Sequence, residues 1–204
     1  MSKKGYAFES ETEDFFLKQT DMNKQTPLLK FNDKGLLLIN RSFRVPNSGA
    51  ITSIKGDVIT AIPWLPKQFK VECKARYMHN KKDGQIVLFE KEWITKNEEE
   101  AKRDNQISVL TFSFKKVKQR RQWWIIHNLD FEFLRFHAMF NFHKISIDVN
   151  LKQSSKTIKF VHKDLAKISD NCVYHFKNTN NNEFYYLIPH AMLNTLMEKL
   201  KCQT

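Results

Sequence analysis

The chain has 204 residues, enough to bury the core of one domain, or of one domain with an elaboration. Its formal net charge of +12, with a pI near 9.6, points to a polyanionic partner, nucleic acid before an anionic membrane surface. No apolar run is long enough to span a bilayer and no apolar signal-peptide core opens the chain, so a cytoplasmic protein is expected.

Residues 2 to 19 read as a first helix, with Phe8, Thr12, Phe15 and Phe16 on one stripe and Glu9 beside it. Residues 20 to 34 carry turn formers and little periodicity. Leu36 to Phe43 reads as a strand, stopped by Arg44-Val45-Pro46-Asn47-Ser48-Gly49. Two short apolar runs follow, one opening at Gly56-Asp57-Val58 and one from Gln68, expected to pair as a hairpin across Pro63–Pro66. Side chains alternate along a strand, so Glu72 and Lys74 share a face, Cys73 takes the other, and the pairing brings Asp57 close to Glu72. Cys73, Cys172 and Cys202 are odd in number and share no C-x-x-C spacing, which gives neither a disulfide framework nor a zinc ribbon. Cys73 is expected reduced, on the buried side of its strand.

Asp83-Gly84 reads as the start of a helix with Asp83 as N-cap, flanked by Ile86, Phe89 and Trp93 and by Val87, Ile94 and Ala101. That helix is expected to cross over to a strand, Ile107–Lys115, and Gln122 to His127 to return antiparallel. Strand, helix and strand in this order imply a right-handed crossover and a parallel pair inside a mixed sheet. The tip between the last two strands, Lys115 to Arg121, sets five positive charges beside Trp123 and Trp124, which suits contact with a phosphate backbone. Asp130 to Lys144 reads either as a helix with phenylalanines on several faces or as aromatic strand, and Ile145 to Asn150 as strand. Val173–Lys177 and Glu183–Ile188 read as a hairpin across Asn178–Asn182. Pro189 then opens a final helix striped with Met192, Leu193, Leu196 and Leu200.

Physical chemistry gives the Asp57, Glu72 and Lys74 group a use. Carboxylates side by side repel unless a divalent cation lies between them or one keeps a proton. Mg²⁺ takes oxygen ligands and retains waters, leaving positions for phosphate oxygens, and a bound metal acidifies a water. A lysine alongside can orient that water or neutralise the crowded phosphate. The trio thus suggests metal-dependent phosphodiester hydrolysis, although an E-x-K taken alone is common on exposed strands.

The neighbouring motifs add to it. KG-x-x-x-E from Lys4 to Glu9, R-x-P-x-SGA from Arg44 to Ala50, Gly56-Asp57, and Val71-Glu72-Cys73-Lys74-Ala75-Arg76 follow one another. Together, over residues 3 to 127, they resemble the archaeal-type Holliday junction resolvases of the PD-(D/E)XK nuclease superfamily. The resemblance implies an α/β fold, a restriction-endonuclease-like mixed β-sheet flanked by helices over residues 1–128. A C-terminal α+β extension, 129–204, would pack on that core. It also implies Glu9, Asp57, Glu72 and Lys74 as catalytic residues. Glu9, Asp57, Glu72 and the Cys73 carbonyl would hold Mg²⁺, for which Mn²⁺ substitutes. Ser48 matches a serine that positions the scissile strand. Lys4, Arg44, Lys55 and Arg76, with Lys115, Lys116, Lys118, Arg120 and Arg121 at the tip, are the expected DNA contacts. Ser10 stands where many relatives carry arginine, and residues 20–34 look like an insertion.

The activity so implied is a structure-specific endonuclease making paired incisions in four-way DNA junctions, acting as a homodimer and without a membrane partner. Two alternatives stand beside it: another endonuclease of the superfamily, restriction-type or for branched-DNA repair, and a non-catalytic DNA-binding protein with a decayed nuclease core.

Overall fold

Along the chain run helix α1 (Lys3–Lys18), strands β1 (Leu29–Phe31), β2 (Leu37–Ile39), β3 (Phe43–Arg44), β4 (Val58–Ile59), β5 (Phe69–Lys74), β6 (Tyr77–Asn80) and β7 (Gly84–Glu90), and helix α2 (Lys91–Arg103). Then come β8 (Ile107–Ser113), β9 (Gln122–His127), helix α3 (Asn128–His137), β10 (His143–Ile145), β11 (Lys152–Gln153), β12 (Thr157–Val161), the short α4 (His162–Leu165), β13 (Cys172–Lys177), β14 (Phe184–Pro189) and α5 (His190–Lys201). The computed structural model describes residues 3–45, 56–74, 77–115, 117, 121–141, 143–145 and 152–203, with the backbone alone for 3–6, 77, 80 and 143–145.

Eight strands form one mixed sheet in the order β10-β13-β14-β9-β8-β5-β4-β3. β5 and β8 are parallel, joined by a connection that contains α2, and β9 returns antiparallel, as the element spacing predicts. β8 is buried at every position because the sheet is covered on both faces, and the polar residues buried within it include Ser108, which accepts from Asn97, and Thr111, which donates to the Trp123 carbonyl. On one face α1, α3 and α5 bring Phe16, Phe131 and Leu196 over Val71, Val109 and Ile126. On the other, α4 and a second, four-stranded sheet in the order β11-β12-β7-β6 set Phe89, Phe160 and Leu165 against Leu110, Phe112 and Trp123. Phe112 stacks on Phe160 there with ring centroids 4.7 Å apart.

The amphipathic stripes hold. Phe8, Thr12 and Phe16 of α1 are buried at four-residue spacing, and Met192, Leu193, Leu196 and Leu200 are the buried face of α5. β13 and β14 form the expected hairpin, and β14 then pairs with β9, so residues beyond 128 continue the same sheet.

Four expectations need correction. Residues 84–90 form strand β7, not the first turns of a helix. Val87 and Phe89 face the Phe112 side, Ile86 is buried as well, and the run is paired on both edges, by β6 and β12. Asp83 caps no helix and pairs instead with Lys159. Leu36 to Phe43 is not one strand: Asn40 and Arg41 turn back to the carbonyls of Pro27 and Thr26, leaving β2 and β3 on either side. Within 20–34, where turns are expected, Leu29–Phe31 is a strand paired with β2 as a separate two-stranded sheet. Of the two readings of 130–144, the helix is formed as far as His137, as α3, and His143 and Lys144 belong to strand β10. The strand expected at 145–150 begins as β10, and its residues 146–150 lie outside the described ones.

Candidate active site

Gly56 sets the approach to the site. Its φ of +98° disfavours any side chain, and a Cβ there would lie 3.1 Å from Lys70 Cγ. The next residue, Asp57, donates its amide to the Val71 carbonyl at 2.8 Å, and its Oδ2 accepts the Cys73 amide at 2.7 Å. Asp57 is therefore tied to the residues on both sides of Glu72. Glu72 and Lys74, two apart on β5, pair directly, Lys74 Nζ donating to Glu72 Oε1. The same ammonium sits 4.7 Å from the ring centroid of Trp93 on α2. Glu9 comes from α1, and its Oε2 accepts from Arg44 Nη1 at 3.3 Å.

Electrostatics show that these groups meet. Burial and then the Asp57 charge raise the Glu9 carboxyl above its ordinary range, and Arg44 and Lys74 only partly offset them. Glu72 is raised by the same two causes in the same order, with Lys74 opposing. Burial pushes the Cys73 thiol well up, and Asp57, Glu72 and Glu9 add to it. Three segments far apart in the chain thus converge at one end of β5, with more negative than positive charge at short range.

Among the described residues no three His, Cys, Asp or Glu side chains are disposed to hold a metal ion together. The site offers instead the Asp57 and Glu72 carboxylates, near enough for the charge of one to act on the other, and a backbone oxygen. The N–H and C=O of one strand residue point the same way, so the Cys73 carbonyl shares the edge from which its amide meets Asp57. Mg²⁺ commonly takes only one or two protein carboxylates and keeps its waters, and a cation would offset the Asp57 charge that, after burial, raises Glu9 and Glu72. Asp57, Glu72 and the Cys73 carbonyl are oxygen donors of the kind Mg²⁺ takes, while Glu9, expected as a further ligand, is engaged by Arg44 and does not join them as a third side-chain donor.

No protein-family model, curated protein or solved structure matches the chain. The chemistry of the site therefore rests on its own geometry.

Of the expected DNA contacts, Arg44 faces Glu9, and Arg121 donates to Glu11 Oε2 at 3.1 Å, so both arginines lie against acids of α1. Lys115 is half-buried just past β8, and Lys4 lies in the first turn of α1. Ser48, Lys55, Arg76, Lys116, Lys118 and Arg120 lie outside the described residues. Sequence reasoning missed Trp93 as the platform for Lys74. The signal was present, an aromatic in the first turn of α2, but a helix begun at Asp83 hides that position.

Proposed function

We propose that the chain is a Mg²⁺-dependent, structure-specific DNA endonuclease with a restriction-endonuclease-like core, acting on four-way junctions. The observation that carries this reading is the double tie of Asp57 around Glu72, with Lys74 on the same strand. The order of α1, the antiparallel β3-β4-β5, the crossover α2 and the parallel β8 supports the core assignment. Asp57, Glu72 and the Cys73 carbonyl would hold the metal. The chemistry such a metal supplies is Lewis acidity at the phosphate and a more acidic water. Lys74, steadied by Glu72 and the Trp93 face, donates to the phosphate oxygens as their charge grows. Glu9 keeps Arg44 at the rim, where a flanking phosphate can take over the guanidinium. A four-way junction is nearly two-fold symmetric, so paired incisions need two such sites and hence two copies of the chain.

The test is cleavage of a four-way junction and of a linear duplex of matched sequence, with Mg²⁺ or with chelator. Paired nicks on the junction alone are expected, lost in Asp57→Asn and Glu72→Gln while binding persists. Equal cleavage of both substrates would leave an endonuclease but not a resolvase. A second reading, a DNA-binding protein with a decayed core, is favoured by Glu72 and Lys74 satisfying one another. Undiminished binding with no Mg²⁺-dependent nick in the wild type would select it.

A further inference from the structure

We propose that the chain forms a two-fold dimer in which the β1–β2 hairpin of each copy covers the outer face of α3 on the other. Among the described residues the hairpin is a sheet of two strands with no third. Its register sets Leu29 opposite Ile39 and Phe31 opposite Leu37, so these four side chains share one face. All are exposed, Phe31 by 72% and Leu37 by 54%. A lone two-stranded hairpin is marginal in water and gains stability when its apolar face packs on a helix.

α3 carries a surface of the required kind. Its inner stripe, Phe131 and Leu134, is buried in the core. Its outer stripe, Leu129, Phe133 and Phe136, is exposed, and Met139 just beyond it is 77% exposed. A helix apolar on opposite sides has two faces to cover, and the described residues cover one.

Area and charge select a second copy as the occupant. With ~200 Å² for a large apolar side chain in full view, the hairpin and the α3 stripe each show on the order of 500 Å². One such patch is ordinary on a monomer, whereas a reciprocal contact covers both and reaches the ~800 Å² per partner of a stable interface. The hairpin is net positive, Lys30 and Lys34 against Asp33, and α3 is net negative, Asp130 and Glu132 against Arg135, on a chain of net charge +12. Two strongly basic copies thus approach where their local signs are opposite. Two-fold symmetry satisfies both contacts at once and closes the assembly. The contact supplies the second copy that the nuclease reading calls for, yet it can fail alone: a dimer that survives Phe31→Asp or Phe136→Asp overturns this interface and leaves the nuclease reading standing.

The test is light scattering on gel-filtered full-length protein, with reductant present to silence the free thiols. The wild type should be a dimer at micromolar concentration. Phe31→Asp and Phe136→Asp should each run as monomers with unchanged far-UV circular dichroism. Mixed in equal amounts they should regain a dimer fraction, because the mixed pair keeps one intact hairpin–helix contact. A monomeric wild type, a variant that stays dimeric, or a mixture that stays monomeric would overturn the proposal. So would flotation of the wild type with zwitterionic vesicles, which would give the apolar faces to lipid.

Discussion

Burial, and after it the neighbouring Asp57 carboxylate, makes Glu9 and Glu72 costly to ionise in the folded protein, and this has a measurable sign. An acid whose pKa is higher folded than unfolded contributes stability below its ordinary value near 4.5 and loses it as pH rises through the folded value. Glu72→Gln should therefore melt with the wild type in acid buffer and above it by a growing margin toward neutrality. Thermal melts across pH check this, and a variant less stable at neutral pH would mean that the Lys74 attraction outweighs burial and Asp57. If nicking is lost in the same variant, the site holds charge for function at the expense of stability. The Asp57–Glu72–Lys74 group was legible in the sequence because strand alternation and a short hairpin are local rules. The Glu9–Arg44 pair was not, since it depends on how α1 docks on the far edge of the sheet.

At the scale of elements, the misread stretch is instructive. Ile86, Phe89 and Trp93 fall at helical spacing, yet Val87 and Phe89 also alternate as a strand does, and short apolar runs satisfy both patterns. Pairing with β6 and β12, partners distant in sequence, decides for the strand. Helix α2 is then anchored by a residue of β5. Lys70, fully buried, reaches Glu100 at 3.4 Å and Asp104 at 3.1 Å near the C-terminal end of α2. Burial would raise the Asp104 carboxyl, but the Lys70 hydrogen bond and charge carry it below its ordinary range. Replacing both acids, Glu100→Gln with Asp104→Asn, strands a buried ammonium and should cost about 3–5 kcal/mol in urea unfolding. A cost below about 1 kcal/mol would mean that water reaches Lys70. The stripes of α1 and α5 were legible throughout, because a helix with one buried face writes that face into its own spacing.

For the whole molecule, the charge of +12 makes a definite demand. On the proposed nuclease reading, junction binding should weaken as a power of salt concentration, with a slope of about −0.9 per phosphate neutralised, and a flat titration would remove the electrostatic reading of the surface. The mixed sheet with helices on it was legible from the order of elements. The second sheet was not, because β7 and β12 are separated by more than half the length of the remaining chain and no local pattern announces their pairing. Continuity of the large sheet across residue 128 predicts that a protein cut there is insoluble, since β9 would lose β14 and leave Trp124 and Ile126 on an open edge. Soluble, folded 1–128 in a sedimentation assay would refute this. The same pairing sets a schedule for biosynthesis. β14 leaves the ribosome only after residues 128–183 have been made, so the nascent chain must carry β8 and β9 with an unclosed flank through all of that time. Folding of the centre waits on the last strand translated, so shielding β9 in the interval should raise the yield of folded chain.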